Sequence, residues 1–226
     1  GFIILKNFFD KKIIKSINNS FELFNKKNRK NKNENKFVVE KNNIKFIQNP
    51  QIYVEELNKI INFDLFNTCK KILNENVYLQ AIDYHAKAKE TSFTPPHQDN
   101  FYFCLKPANS LTAYIPLVNQ NINSGAMTVL IGSHRNGVLP HSKSKTAAFS
   151  SYIDEKYLTK FKKTYTYDLS IGDLAIHHCN LVHFANENLS NTLRKSLALR
   201  LNGESAKFNQ LMKNKYLKNL KFNREK

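Results

Sequence analysis

The sequence predicts a mainly β fold with flanking α-helices, whose core is a double-stranded β-helix, the jelly-roll barrel of the cupin type. The first observation is a series of short apolar runs in the second half of the chain. Pro, Asn, Ser and Gly separate them, as is typical of antiparallel strands and turns. The second is helical periodicity in the segments that precede those runs. The third is the length of 226 residues, which suits one domain with a sizeable core, so we expect a single domain over residues 1–226.

The N-terminal part predicts a short strand at residues 2–5, followed by a helix that ends near Phe24. Asp10 is a suitable N-cap for this helix, and apolar residues follow it at helical spacing. These apolar residues are Ile13, Ile14, Ile17 and Phe21. Residues 25–36 are a low-complexity run of Asn and Lys, which indicates a mobile polar loop.

Apolar spacing predicts a second helical region over residues 53–73. The strands expected after it lie at residues 78–85, 99–103, 111–118, 127–131, 164–169, 174–177 and 195–201. The C-terminal stretch, residues 205–226, predicts a helix that lies on the sheet and frays into a tail.

The charge balance points away from nucleic acid despite a formal net charge of +17. Only five of the 35 basic residues are Arg, the residue that recognises phosphates and bases with two parallel hydrogen bonds. We therefore expect a small-molecule substrate, with nucleic acid an unlikely partner. Lys87 and Lys89 are candidates to attract an anionic ligand.

Cysteine usage and hydropathy indicate the compartment. Cys69, Cys104 and Cys179 are scattered and form no CxxC pair, which is typical of a chain in the reducing cytoplasm. No run of 18 or more apolar residues is present, so we expect no membrane span.

The stretch around His97 and Asp99 carries the main chemical signal. In an extended segment, residues two apart point to the same face, so both side chains could bind one metal ion. His183 is a suitable third ligand, although His177 and His178 compete for that role and His183 could be a buried structural histidine. Two histidines and one carboxylate on one face of Fe(II) leave the opposite positions open for a cosubstrate and O₂.

Arg194 follows His183 by eleven residues and could return on a neighbouring strand. Its planar fork could bind the far carboxylate of a diacid such as 2-oxoglutarate, and Ser196 could add a hydroxyl. The alternative for Arg194 is a structural ion pair with Asp173 or a neighbouring acidic residue. We assign no metal role to His134, which follows a predicted hairpin.

Taken together, the His97-Gln98-Asp99 motif, the 124–134 block and the later His183 and Arg194 resemble the phytanoyl-CoA dioxygenase family of Fe(II)/2-oxoglutarate oxygenases. The resemblance is close over residues 80–202. It implies His97, Asp99 and His183 as iron ligands, with Arg194 on the far carboxylate of the 2-oxoglutarate. Tyr114 occupies the place where many members carry Trp against the cosubstrate, and Thr112 is expected in the same pocket.

The resemblance implies a dioxygenase that uses Fe(II), 2-oxoglutarate and O₂ to hydroxylate an unactivated C–H bond of a small metabolite, anionic or carrier-linked, with release of succinate and CO₂. Because Asp99 is intact, hydroxylation is favoured over halogenation. Substrate contacts are expected from Asn100, Phe101, Tyr102 and Tyr84. The alternatives are a catalytically inactive cupin-like module that binds a metal or a small acid and, more weakly, an oxygenase that modifies nucleic acid.

Overall fold

The computed structural model describes residues 1–28, 37–40, 42–90, 93–143 and 151–224. Thirteen strands occur within these ranges: β1 (Phe2–Leu5), β2 (Phe37–Glu40), β3 (Asn43–Gln48), β4 (Val77–Lys87), β5 (Thr94–His97), β6 (Ser110–Pro116), β7 (Met127–Leu130), β8 (Ser142–Lys143), β9 (Ser151–Tyr152), β10 (Thr164–Thr166), β11 (Leu174–His178), β12 (His183–Ala185) and β13 (Arg194–Gly203). The α-helices are α1 (Lys11–Asn28), α2 (Phe63–Leu73), α3 (Asp99–Phe103) and α4 (Gln210–Arg224).

The strands form two principal antiparallel sheets. The larger has the order β1-β11-β6-β13-β4-β3-β2, and the smaller has the order β10-β7-β12-β5. Between them lies a buried cluster in which Tyr114 and Ala175 of the large sheet pack near Val129 of the small sheet and Tyr167. This arrangement confirms the predicted mainly β, jelly-roll class, and the space between the two sheets is where the site lies.

The outer face of the large sheet is covered by α1 and α2. Strand β13 shows why: Leu197, Leu199 and Leu201 are fully buried in the main core, while Ser196 and Arg200 point to the opposite, inner face. The helices contribute buried residues to the same core, namely Ile14, Ile17, Phe21, Leu65 and Cys69. Burial of each large apolar side chain stabilises the fold by about 1.5–3 kcal/mol. Packing on the outer face therefore stabilises the sheet, and its inner face can carry polar residues.

Helix α1 begins where the sequence predicts, because an Asp10 side-chain oxygen accepts a hydrogen bond from the Lys12 amide at 2.7 Å. It ends later, at Asn28, so the first residues of the predicted polar loop are helical. The Asn25 side chain accepts a hydrogen bond from the Ile44 amide, which ties this extra turn to β3. Residues 29–36 lie outside the described ranges.

The predicted helical region 53–73 is present but divided, and one predicted strand is wrong. The region 53–73 is not one helix: a 3-10 helix at Glu55–Lys59 is followed by α2, which starts anew because the Asn62 side chain caps the Leu65 amide. Residues 99–103 form the helix α3 rather than a strand. The Asn100 amide donates to the Cys179 carbonyl, and the Asn100 side chain bonds to both the amide and the carbonyl of Leu105.

The C-terminal helix α4 is present, but the main contacts of its described residues are not with the large sheet. It packs against α3 and β8, and the Tyr216 ring lies 5.9 Å from that of Phe101 and 5.6 Å from that of Tyr102. No helix within the described ranges combines the length and the apolar character that crossing a membrane requires.

Candidate metal centre

Three side chains from three different elements of secondary structure meet between the sheets. His97 ends β5, Asp99 begins α3 and His183 begins β12, and each offers a ligand atom within 4.8 Å of the others. Strands β5 and β12 are paired so that His97 lies directly opposite His183. The predicted geometry was wrong in one respect, since Asp99 lies on a helix. The turn from strand to helix still brings its carboxylate back to the two imidazoles.

Both ring orientations are fixed by the backbone. The Nδ1 atom of His97 lies 2.8 Å from the Pro95 carbonyl oxygen, and the Nδ1 atom of His183 lies 3.0 Å from the Leu181 carbonyl oxygen. Because a carbonyl oxygen can only accept, each Nδ1 carries the proton and each Nε2 keeps its lone pair. Backbone acceptors on the outer nitrogen are typical of metal-binding histidines. The two Nε2 atoms are therefore the available ligand atoms.

Asp99 is held by partners on the large sheet. The Thr112 hydroxyl donates to Oδ2 of Asp99 at 2.6 Å, and Nε2 of His177 lies 3.3 Å from the same oxygen. The other oxygen, Oδ1, lies 3.6 Å from Nε2 of His183. One carboxylate oxygen is thus used for positioning, and the second faces the histidines.

The protonation states suit metal binding. Burial raises the pKa of Asp99, but the nearby His183 and the hydrogen bond from His177 outweigh it, and the net pKa is lowered. Burial, followed by the charge of a protonated His183, lowers the pKa of His97 to about 3. Burial also lowers the pKa of His183. At neutral pH the cluster therefore holds two neutral imidazoles and one carboxylate, the forms that ligate a divalent metal.

The competing histidines are not members of this three-residue cluster. His177 contacts Asp99, but it is not one of the three converging ligands. Nδ1 of His178 accepts from the Asn180 amide, and its ring lies 5.7 Å from that of His134. The structure thus brings together the same three residues that the sequence favoured.

Arg194 and Ser196 lie on the inner face of β13. Nη1 of the buried Arg194 donates to the Gly125 carbonyl, while its Nε and the Ser196 hydroxyl are buried with no hydrogen-bond partner among the described residues. The alternative ion pair with Asp173 is absent, because Asp173 pairs with Lys6 at 2.8 Å. Arg194 therefore presents an unused donor to the space between the sheets.

The two residues expected beside the cosubstrate differ in their surroundings. Thr112 contacts the Asp99 carboxylate, as described above. Tyr114 faces the space between the sheets, and its hydroxyl donates to the Gln120 side chain at 2.7 Å. Its ring lies 6.2 Å from that of Tyr167.

The expected substrate contacts are mostly not supported. Tyr84 lies on the outer face of the sheet, where its ring stacks on Phe21 at 4.3 Å. Asn100 is buried and bonded to the backbone of α3, and Phe101 stacks on His141 at 4.1 Å. The Tyr102 ring does face the cluster, at 6.0 Å from that of His97.

Three inner-face residues escaped the sequence analysis. His85 lies opposite Ser196 in the pairing of β4 with β13, and burial together with the charge of Arg194 lowers its pKa to about 4. Asp83 precedes it on the same face, and Arg200 lies further along β13. The signal was available: Asp83 and His85 alternate with Ile82 and Tyr84, and that alternation marks the two faces of a strand.

Comparisons with known proteins agree with this geometry. The family model described as phytanoyl-CoA dioxygenase (PhyH) matches residues 1–196. The chain is 27% identical to phytanoyl-CoA dioxygenase 1 of Oryza sativa subsp. japonica over 107 residues, which are 47% of this chain and 37% of that protein. It is 28% identical to the peroxisomal phytanoyl-CoA dioxygenase of Bos taurus over 113 residues, 49% of this chain and 34% of that protein. The match thus spans about a third of the length of these relatives.

Solved structures show the same fold at lower identity. The structure of EctD from S. alaskensis with bound Fe superposes with a TM-score of 0.76 at 17% identity, covering 92% of this chain and 75% of EctD. The structure of AviO1 from Streptomyces viridochromogenes Tue57 gives a TM-score of 0.72 at 15% identity, covering 92% and 91%.

Proposed function

This chain belongs to the phytanoyl-CoA dioxygenase family, and we propose that it is an Fe(II)- and 2-oxoglutarate-dependent dioxygenase that hydroxylates an unactivated C–H bond of a small molecule. The observation that carries the proposal is the convergence of ligand atoms from two histidines and one carboxylate within 4.8 Å of one another. Iron bound there, with 2-oxoglutarate and O₂, would supply the oxidation, releasing succinate and CO₂.

His97, Asp99 and His183 would hold the iron. Their fit rests on the fixed Nδ1–H groups and on the Asp99 carboxylate, which stays ionised although it is largely buried. Thr112, expected in the cosubstrate pocket, is better assigned to orienting Asp99, because its hydroxyl bonds directly to that carboxylate. Hydrogen bonds from the surrounding residues thus hold the three ligands in place before the metal binds.

Arg194 would bind the far carboxylate of 2-oxoglutarate. A guanidinium presents donors in a rigid fork that matches a carboxylate, and the Gly125 carbonyl already fixes one arm of that fork. The unused Nε of Arg194 and the hydroxyl of Ser196 are the donors that a carboxylate would satisfy. Tyr114, on the same inner face, would form an aromatic wall of this cosubstrate pocket.

We propose a small molecule rather than nucleic acid as the substrate, acted on in the cytoplasm. The scarcity of Arg in the sequence and the burial of His97 and His183 between the two sheets both favour it. Lys87, one of the two lysines expected to attract an anionic ligand, is buried, and its amine donates to the Ala185 and Asn186 carbonyls. It therefore supports the backbone after β12 and is no longer a candidate for attracting an anion.

The test is anaerobic addition of Fe(II) and then 2-oxoglutarate, followed by visible absorption for the band of a chelated 2-oxo acid. Oxygen is then admitted and succinate is assayed. The wild type should give both signals, Asp99→Ala should give neither, and Arg194→Ala should need about tenfold or more 2-oxoglutarate. Arg135→Ala, at an exposed position, is the matched control.

Two results would contradict the proposal. A well-folded wild type that gives no band would refute the cosubstrate assignment. A band without succinate would instead support the inactive binding module.

A further inference from the structure

Two charged residues on the inner face of the large sheet have no role in the proposed metal and cosubstrate sites. Asp83 of β4 pairs with Ala198 of β13, and Arg200 lies two residues further along β13. Asp83 and Arg200 are therefore diagonal neighbours on one face, and such neighbours lie about 7–8 Å apart in an antiparallel pair. A single small molecule can span that distance.

This pair lies beside the metal cluster, away from the cosubstrate arginine. Arg200 lies directly opposite Thr112 in the pairing of β13 with β6, and the Thr112 hydroxyl donates to Asp99. Arg194 is six residues away on the same strand, which corresponds to about 20 Å at the rise of a strand. Arg200 also lies beyond residue 196, where the family match ends. The two arginines thus occupy separate parts of the inner face, with Arg200 at the level of the ligand Asp99.

Both groups have unused polar atoms. Oδ1 of Asp83 and Nε of Arg200 are buried, and neither has a hydrogen-bond partner in the part of the chain that the structure describes. Burying a charged group without a partner is costly, so such atoms are rarely left unmatched without a reason. The two residues as a whole are only partly buried, as expected for groups that line an accessible space.

The orientation of Arg200 is set by Phe103 of α3, because its guanidinium carbon lies 4.3 Å from the centre of that ring. Stacking on an aromatic face leaves the in-plane N–H groups free to bind an oxyanion. Burial and the nearby Asp99 raise the pKa of Asp83 to about 6, although the charge of Arg200 lowers it. A bound cation would favour the ionised form of Asp83.

We propose that Asp83 and Arg200 bind the prime substrate, and that this substrate is a small zwitterion of the amino-acid type. Its carboxylate would bind Arg200 and its ammonium group would bind Asp83. A zwitterion matches both charges, whereas a simple acid or a simple amine leaves one of them unpaired. This inference rests on the proposed function, because it treats the adjacent cluster as the reacting centre.

The test measures binding rather than turnover. The protein is loaded with Ni(II), which does not support the reaction, and with 2-oxoglutarate, and each of the twenty protein amino acids is titrated by calorimetry. At least one should bind. The matching carboxylic acid without the amine, and the matching amine without the carboxylate, should each bind about tenfold or more weakly, the loss expected for one charged hydrogen bond.

Two variants assign the contacts. Arg200→Gln should weaken the amino acid and its deaminated acid alike, by about tenfold or more. Asp83→Asn should weaken the amino acid by a similar factor and leave the deaminated acid unchanged. Arg135→Gln and Asp64→Asn, both at exposed positions, are the matched controls. Binding of 2-oxoglutarate is measured in every variant, because its retention shows that the fold and the cosubstrate site are intact.

The outcomes separate the two proposals. A wild type that does not bind 2-oxoglutarate overturns the proposed function, and this inference with it. If 2-oxoglutarate binds but no amino acid does, or if the Asp83 and Arg200 variants bind the amino acid as well as the wild type, the zwitterion inference alone is overturned.

Discussion

Replacing Thr112 by Val removes one hydroxyl and tests whether this residue positions the metal ligand Asp99. The hydroxyl donates to Oδ2 of Asp99 at 2.6 Å, and the side chain is buried. Valine has nearly the same shape, so the packing between β6 and its neighbours β11 and β13 should be kept. What is lost is one hydrogen bond to an ionised group, which contributes about 1.5–3 kcal/mol.

That loss translates into metal affinity. After the change, Oδ2 of Asp99 keeps its contact with His177 at 3.3 Å but loses its shorter and stronger partner. The carboxylate is then less firmly held toward His97 and His183. Removing a hydrogen-bond partner of a metal ligand typically lowers metal affinity by about 10–100-fold, in agreement with the energy above. We expect Thr112→Val to bind Fe(II) or Ni(II) more weakly by that factor.

The assay is competition with a chromophoric chelator, in wild type, Thr112→Val and the exposed control Thr159→Val. Thermal unfolding of the metal-free proteins runs alongside, because a change in affinity counts only if the fold is kept. Equal metal affinity in the three proteins would refute the idea that Thr112 holds the ligand. The Thr112 hydroxyl would then only donate a hydrogen bond to the Asp99 carboxylate, without positioning it for the metal.

Three further predictions concern stability. Leu199→Ala, at a fully buried position of the main core, should lower the free energy of unfolding by about 2–5 kcal/mol in denaturant titration; a loss below 1 kcal/mol would contradict the assigned core. Asp10→Ala removes the cap on the Lys12 amide and should cost about 1 kcal/mol, whereas Asp10→Asn should cost little; equal losses would argue against capping. Burial lowers the pKa of His141 to about 4, so the folded state resists its protonation. Below pH 6.5 the unfolded chain binds more protons there, so acidification from pH 7 to 5 should destabilise metal-free wild type by on the order of 1–2 kcal/mol more than His141→Gln; parallel pH profiles would exclude this role.

The core was predictable because it depends on local alternation. In β13, every second residue from Leu197 to Leu201 is apolar, and that pattern alone separates the face against the helices from the face against the site. The same is true of α1, whose buried Ile14, Ile17 and Phe21 recur at helical spacing. In such elements the local sequence alone determines which face is buried.

Helix α3 was not predictable, because its causes are remote in the sequence. A five-residue helix gains little from its own hydrogen bonds. Two hydrogen bonds hold it in place: the Asn100 amide donates to the Cys179 carbonyl, and the Asn100 side chain donates to the Asn180 side chain. Both partners lie some 80 residues further along the chain. The two-residue spacing of His97 and Asp99 therefore led to the correct ligands through an incorrect local geometry.

The two faces of β13 explain how the fold tolerates its site. On the outer face, three buried leucines contribute about 1.5–3 kcal/mol each. On the inner face, Arg194, Ser196 and Arg200 each keep a buried polar atom without a partner among the described residues, and each such atom costs about 1–3 kcal/mol. On this one strand, the stabilisation from the three leucines and the cost of the three unpaired polar atoms are therefore of similar magnitude. A sheet stabilised from outside can therefore carry unsatisfied donors inside, and we propose that the acids bound by those donors, the cosubstrate at Arg194 and the substrate at Arg200, offset their cost.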